Sequence, residues 1–216
     1  MADGADRRFG EEPLPQTVAV AAALRRLTGM VLSLEHPNPT VDEMLTTIAG
    51  WERDLADAQP ADHRPRMSSD DESKRLYVQR AFDIGSANPV FPEYRFDRLD
   101  LNSASGTVTF PIVFEGPPGL VHGGFLGVLF DCITQHHNCA VGRSGKTRSL
   151  IVRYRRPTPL EADLRFEIVR TPSDREITST ASLILDDEVL CTGEVSALAL
   201  PPEKLSPQRF AHRRTV

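Results

Sequence analysis

A short segment with two adjacent glycines contains the residues of this chain that are best suited to chemistry. Gly119-Leu120-Val121-His122-Gly123-Gly124 precedes a run of apolar residues, and Asp131 follows nine residues after His122. Glycines at the start of a helix expose backbone N–H groups that can bind developing negative charge. A lone carboxylate further along the same helix is a candidate general base or nucleophile. Together these groups suit attack on an activated carbonyl.

One helix must position both groups. From about Gly123 to Val141 the apolar residues cover nearly all sides of a helix, which predicts that a sheet surrounds it. Asp131 lies in the middle of this apolar run. Burial of an unpaired carboxylate is costly, so we expect Asp131 to have a functional role. A hydrogen-bonded aspartate at a subunit interface is the alternative interpretation.

Alternating apolar residues predict strands on both sides of the helix. The predicted strands cover residues 107–114, 150–154, 164–168, 177–185 and 189–197. Short turns at 171–174 and 186–188 predict an antiparallel meander for the last three strands. Pro111 predicts that the first strand lies at an edge or contains a bulge. The expected fold class is α+β, with a curved antiparallel sheet wrapped around one long helix.

Two further helices are predicted before the sheet. Thr17 to Leu34 has helical apolar spacing, and a second helix begins near Thr40, which could form a capping box with Glu43. The chain is therefore expected to contain an N-terminal helical accessory segment and linker over residues 1–80, a sheet-and-helix domain over 81–200, and a mobile tail over 201–216.

Composition excludes several classes of function. The 216 residues carry a formal net charge of -5, which argues against nucleic-acid binding because that needs a basic face. No apolar run reaches the roughly 20 residues of a membrane span, and the polar N-terminus does not resemble a signal peptide, so we expect a cytoplasmic protein. The three cysteines lack Cys-x-x-Cys spacing and are predicted to be buried thiols.

The motifs together resemble the hotdog-fold acyl-CoA thioesterase superfamily, in particular its phenylacetate-pathway (PaaI-like) group. The resemblance spans roughly Phe82 to Leu200. It is carried by Gly119, His122, Gly123, Gly124, Asp131, Thr147 and the strand end Tyr154-Arg155-Arg156-Pro157. It implies a hotdog fold and hydrolysis of acyl-CoA thioesters, with no cofactor or metal.

The resemblance also implies a role for each of three residues. The Gly123 N–H would polarise the thioester carbonyl, and Asp131 would act as general base or nucleophile. Thr147 would help to hold the attacking water. For His122, we favour a ring that fixes the loop through backbone hydrogen bonds over direct proton transfer. The family builds each site across a dimer, with the acid of one subunit facing the glycine loop of the other. A homodimer or a dimer of dimers is therefore expected.

Other polar residues are candidate substrate contacts. Gln135 and Asn138 follow Asp131 by four and seven residues and so share its helix face, although interface polarity explains them equally well. The remaining candidates are Gly124 beside the carbonyl site and three basic residues that could bind coenzyme A phosphates, namely Arg148, Arg155 and Arg156.

Three competing motifs are weaker. Residues 142–147 imitate a phosphate-binding loop, but a helix precedes them and a strand follows, the reverse of the required order. Cys132, His136 and Cys139 share a helix face without a fourth metal ligand. Residues 86–91 partly match the Asp-x-Asn-Pro-x-His segment of hotdog enoyl-CoA hydratases, but serine and phenylalanine replace the acid and base. Two alternatives to thioester hydrolysis stay open: a non-catalytic acyl-CoA or lipid-binding module and, less favoured, a hydratase.

Overall fold

The computed structural model describes residues 13–58, 83–141 and 145–199. The predicted linker and tail, and the charged first residues, lie outside the described residues. The helices are α1 (Pro15–Leu32), α2 (Pro39–Asp57), α3 (Ile84–Ala87) and α4 (Gly123–Ala140), with a short 3-10 helix at Ile112–Phe114. The strands are β1 (Tyr94–Leu99), β2 (Ser103–Val108), β3 (Gly145–Tyr154), β4 (Leu164–Pro172), β5 (Glu176–Leu185) and β6 (Glu188–Ala199).

In the described part of the chain the strands form one six-stranded sheet in the order β1-β2-β4-β5-β6-β3. Every neighbouring pair is antiparallel. The predicted β4-β5-β6 meander is confirmed, and Asp186 and Asp187 join β5 to β6 with φ values of 48° and 64°. Positive φ at both positions is typical of a tight hairpin turn that follows the twist of the strands.

Helix α4 packs against β3, β5 and β6, as the predicted hotdog architecture requires. Its buried face includes Leu129, Phe130 and Ile133. A Cβ atom on Gly193 of β6 would lie 2.4 Å from Cγ of Phe130, so only glycine lets the helix approach the sheet this closely. The curved sheet around one long helix is thus confirmed.

The predicted strand over residues 107–114 is wrong in its second half. Strand β2 ends at Val108, and Pro111 precedes the 3-10 helix because proline has no N–H to give to a strand ladder. Phe110 and Phe114 are nevertheless buried, with ring centroids 5.7 Å apart. The alternation of these phenylalanines therefore indicates that both are buried in the core, but it does not indicate an extended strand.

Strand β1 was not predicted from the sequence. It lies at an edge of the sheet, where charged side chains are common because they discourage pairing with other chains. Tyr94 and Phe96 alternate with the exposed Arg95 and Asp97, but the exposed Arg98 breaks this alternation where the register with β2 shifts. The signal that identifies a half-buried strand is therefore weak in this segment.

The predicted capping box at Thr40 and Glu43 is also wrong. The residue that caps α2 is Asn38, whose Oδ1 accepts a hydrogen bond from the Thr40 N–H at 2.9 Å. Pro39 is the first helical residue, where its fixed φ and missing N–H are favourable. The cap must therefore precede the proline.

One buried arginine fastens α1 to the sheet domain. Arg25 is 7% exposed and donates to Oε2 of Glu93 at 2.8 Å. It also donates to the Gly85 carbonyl at the start of the sheet domain. Helix α2, in contrast, has no buried residue. The two accessory helices are thus attached very differently.

Cys139 and Cys191 are buried, and Cys132 is half-buried. Among the described helices, none is both long enough and apolar enough to cross a membrane.

Candidate active site

The first turn of α4 forms one half of the candidate site. His122 is the N-cap residue, and its Nδ1 accepts a hydrogen bond from the Gly124 N–H at 3.0 Å. The Phe125 N–H donates to the carbonyl of His122 at 2.9 Å. Since a helix leaves its first N–H groups without helical partners, the capping side chain satisfies one of them. Within the described residues, no acceptor is seen for the Gly123 N–H.

An open groove of about 630 Å³ runs past this turn. Its lining includes His122, Gly123, Gly124, Tyr154, Arg155 and Arg156. The groove therefore places a helix N-terminus beside two arginines, of which Arg156 also donates from Nε to Oε1 of Glu188 at 2.7 Å. Both features favour an anionic ligand.

The second half of the site is the carboxylate of Asp131. Thr147 on β3 donates from its hydroxyl to Oδ1 of Asp131 at 2.7 Å. Asp131 is half-buried on the otherwise apolar α4, and Thr147 is exposed. The hydrogen bond fixes the carboxylate while leaving it accessible.

A bulge in β3 determines which residues face the helix. The register with β6 shifts between Thr147 and Ser149, so one extra residue is inserted into β3. Without it, Thr147 and Leu150 would point to opposite faces of the sheet. With it, Thr147 reaches Asp131, while Leu150 and Val152 lie 3.6 and 3.8 Å from the position of a Cβ on Gly127 of α4.

Asp131 and Gly123 of one chain are well separated along α4. They are eight residues apart, which corresponds to about 12 Å along the helix axis. Reacting atoms must approach to about 3–3.5 Å, so this separation disfavours a site made from these two groups of one chain.

The predicted substrate contacts do not all lie at the groove. Arg148 is exposed at the bulge, and Gln135 is half-buried on α4. Asn138 is 1% exposed, and its Oδ1 accepts a hydrogen bond from Nε of Arg170 at 2.7 Å. Because this amide side chain is buried in an internal contact, we leave Asn138 out of the proposed site.

Two other reactive side chains on α4 are poorly suited to catalysis. Burial, with the nearby Asp131 carboxylate, raises the pKa of Cys132 to about 12, so the thiol is protonated and weakly nucleophilic at neutral pH. Burial and the neighbouring His137 lower the pKa of His136 to about 4, and Nδ1 of His136 lies 3.1 Å from the Tyr94 hydroxyl. The described residues contain no cluster of His, Cys, Asp and Glu suited to a metal ion.

Sequence reasoning missed the role of one residue at this site. The Tyr154 hydroxyl donates to the carbonyl of Gly123 at 2.9 Å. The alternation of Leu150, Val152 and Tyr154 on β3 predicts that all three side chains lie on the same face of the sheet. No local pattern identifies the Gly123 carbonyl as the partner of Tyr154.

The overall architecture is shared with solved structures. A thioesterase superfamily protein aligns with a TM-score of 0.70 and 26% identity, covering 88% of this chain and 98% of its own length. A phenylacetic acid degradation-related protein from Ralstonia eutropha JMP134 aligns with a TM-score of 0.45 and 22% identity, covering 49% and 83%. A protein from Streptococcus mutans UA159 bound to acetyl CoA gives a TM-score of 0.48 and 12% identity, covering 50% and 89%. No protein-family model and no curated protein sequence matches the chain.

The likeness to the thioesterase superfamily protein covers more of the chain than the sequence motifs do. Its coverage of 88% is more than residues 81–200 alone can supply, so the likeness reaches into the N-terminal segment that the sequence motifs did not include. The prediction made from the glycine segment, Asp131 and Thr147 is confirmed at the level of the fold: the chain has the hotdog fold of the thioesterase superfamily.

Proposed function

We propose that this protein hydrolyses acyl-CoA thioesters to a free acid and coenzyme A. The observation that carries the proposal is the hydrogen bond from Thr147 to Asp131, which holds an ionisable carboxylate at the accessible side of an apolar helix. Such a carboxylate can accept a proton from water or attack the carbonyl directly. The likeness to a thioesterase superfamily protein supports this class of reaction.

The Gly123 N–H supplies the complementary electrostatic contribution. A thioester carbonyl gains negative charge as the tetrahedral intermediate forms, so a donor at the helix N-terminus stabilises the transition state more than the substrate. Removal of one such donor typically costs about a hundredfold or more in rate. His122 supports this donor by capping the same turn.

The site is assembled between two copies of the chain in this proposal. The separation of about 12 Å between Gly123 and Asp131 along α4 argues against a site made from these two groups of one chain. Strand β3, which carries Thr147, lies at an edge of the sheet, and its Leu150 and Ile151 are 36% and 44% exposed. An edge strand with exposed apolar side chains is suited to pairing with a partner.

Coenzyme A would lie along the groove at the start of α4. Arg155 and Arg156 line that groove and could contact phosphate groups through charged hydrogen bonds. Arg148 lies on the same strand as Thr147 and is a further candidate for this contact. Medium, long and aromatic acyl chains are all compatible with the composition of the chain.

Replacement of Asp131 by asparagine tests the reaction. Asp131→Asn keeps the shape of the side chain and can still accept the Thr147 hydrogen bond, but it cannot act as a base or nucleophile. We expect thiol release from a panel of acyl-CoA esters to fall by at least a hundredfold, while the variant stays folded and binds substrate. Asp163→Asn is the matched control, because Asp163 is exposed and also accepts a threonine hydrogen bond, from Thr109 at 3.1 Å.

Equal thiol release by Asp131→Asn and the parent protein would contradict the catalytic role. Binding of acyl-CoA without thiol release by the parent would instead favour the non-catalytic module. Crotonyl-CoA belongs in the panel, because loss of its enoyl absorbance without free thiol would identify a hydratase.

A further inference from the structure

The peptide that joins Gly123 to Gly124 is held from both sides by side chains. The Tyr154 hydroxyl donates to its carbonyl oxygen at 2.9 Å. Nδ1 of His122 accepts from its N–H, which belongs to Gly124, at 3.0 Å. Two consecutive glycines have large conformational freedom, so these two hydrogen bonds restrict a part of the chain that would otherwise be adaptable.

Tyr154 also packs directly on Gly123. A Cβ atom at position 123 would lie 3.0 Å from the Tyr154 hydroxyl oxygen and 3.1 Å from its Cζ atom. The aromatic ring therefore occupies the space that a side chain at this position would need. The close approach favours glycine there even though its φ is not positive, because a Cβ atom would make the Tyr154 ring move by a few tenths of an ångström.

Strand β3 carries both hydroxyl groups that fasten the site. Thr147 near one end holds Asp131, and Tyr154 at the other end holds Gly123. The bulge after Thr147 lets both side chains reach α4 from the same face of the sheet. In a site shared between two chains, each β3 strand thus fastens the aspartate of one site and the glycine turn of the other.

We propose that Tyr154 is a positioning residue that, together with His122, clamps the Gly123–Gly124 peptide and so restricts rotation of the Gly123 backbone, whose own N–H lies in the preceding peptide and would face the thioester carbonyl. This inference rests on the proposed hydrolysis for its kinetic consequence. Its structural content, the restriction of the glycine pair by the phenol hydroxyl, does not depend on any activity. The histidine must keep Nδ1 unprotonated to accept the Gly124 N–H, so the clamp contains the Nε2–H tautomer.

Tyr154→Phe tests the proposal by removing only the hydroxyl. We expect kcat for acyl-CoA hydrolysis to fall roughly threefold to tenfold, the range that one neutral hydrogen bond supplies. We expect KM to stay within about twofold, because the orientation of the donor matters most in the transition state. Amide hydrogen exchange at Gly124, followed by NMR on the full chain, should become faster.

Tyr94→Phe is the matched control. It removes another phenol hydroxyl, which contacts His136 at 3.1 Å and is not at the groove. It should leave kcat, KM and exchange at Gly124 unchanged. Thermal unfolding of both variants separates a local effect from a general loss of stability.

An unchanged kcat together with unchanged exchange at Gly124 would overturn the proposal. A rise in KM with unchanged kcat would also overturn it, since Tyr154 would then be a substrate contact. If the parent protein releases no thiol from any ester, the proposed hydrolysis fails. Exchange at Gly124 in Tyr154→Phe then still supports the clamp if it is faster and refutes it if it is unchanged.

Discussion

At the scale of single residues, His122 holds the glycine turn at the start of α4 through a hydrogen bond to its backbone. Its Nδ1 caps α4 by accepting the Gly124 N–H. Asparagine is among the most favourable N-cap residues, because its side-chain oxygen accepts the same kind of hydrogen bond. Substitution of His122 can therefore distinguish a capping role from a role in proton transfer.

We predict that His122→Asn keeps most of the activity, whereas His122→Ala lowers it. Loss of an N-cap side chain typically costs about 1 kcal/mol of stability, and we expect His122→Ala to show this loss in urea unfolding. Thiol release and unfolding midpoints of both variants provide the comparison. If His122→Asn were as inactive as His122→Ala while remaining as stable as the parent, the imidazole itself would be needed for the chemistry.

The aspartate at position 131 could be found from the sequence because a carboxylate within an apolar helix is conspicuous. Helical spacing also made Asn138 a candidate, because it follows Asp131 by seven residues and shares its helix face. The structure separates the two, since Asn138 is buried against Arg170 whereas Asp131 stays accessible and pairs with Thr147. Spacing along a helix specifies a direction, but not whether the residue meets solvent or the core.

At the scale of elements, α1 depends on one buried arginine for its attachment to the sheet domain. The guanidinium of Arg25 reaches both Glu93 and the Gly85 carbonyl across a long interval of sequence. Hydrogen bonds from charged donors contribute about 1.5–3 kcal/mol each. The apolar contacts of α1 are modest by comparison, because Ala21 is the only other buried residue on this helix.

We predict that Arg25→Leu lowers the free energy of unfolding by about 2–3 kcal/mol, since the buried carbonyl and Glu93 lose their shared partner. Arg26→Ala is the control, because Arg26 is adjacent and exposed. Urea denaturation of the full chain measures both. An unchanged midpoint for Arg25→Leu would show that α1 is held by its apolar contacts instead.

The β3 bulge could not be predicted from the periodicity of the sequence. Alternation predicted a strand from Leu150 to Tyr154, and resemblance alone connected Thr147 to it. A strict period of two would place Thr147 on the face away from α4. The bulge reverses this phase because one additional residue enters β3.

At the scale of the whole molecule, a shared site predicts that two inactive variants can restore each other. Gly123→Pro removes the proposed donor, and the ψ of 129° at His122 is compatible with a following proline. We expect Gly123→Pro and Asp131→Asn to be inactive alone and to recover about a quarter of the parent activity after unfolding and refolding together. Random pairing makes about half of the dimers mixed, each with one intact site of two.

Gly123→Ala controls for the contact with Tyr154, because alanine adds a Cβ atom but keeps the backbone N–H. Refolded Asp131→Asn alone controls for the procedure. No recovery in confirmed mixed dimers would mean that each chain builds its own site, in disagreement with the separation along α4.

The sequence by itself determined the class of fold and singled out one candidate catalytic carboxylate. Local patterns were sufficient for α4 and the β4-β5-β6 meander, because helical spacing, alternation and the Asp186-Asp187 turn all act over short distances. Local patterns failed at β1, whose edge position permits charged residues. They also failed at residues 111–114, where proline stops the strand although the phenylalanines stay buried.

Only the tertiary structure decided how the candidate site residues and helix α1 are held. The contacts from Thr147 to Asp131, from Tyr154 to Gly123 and from Arg25 to Glu93 each join residues that are distant in sequence. Each depends on the phase of a strand or on the docking of a helix against the sheet. Such contacts arise from packing in three dimensions, so no local pattern specifies them.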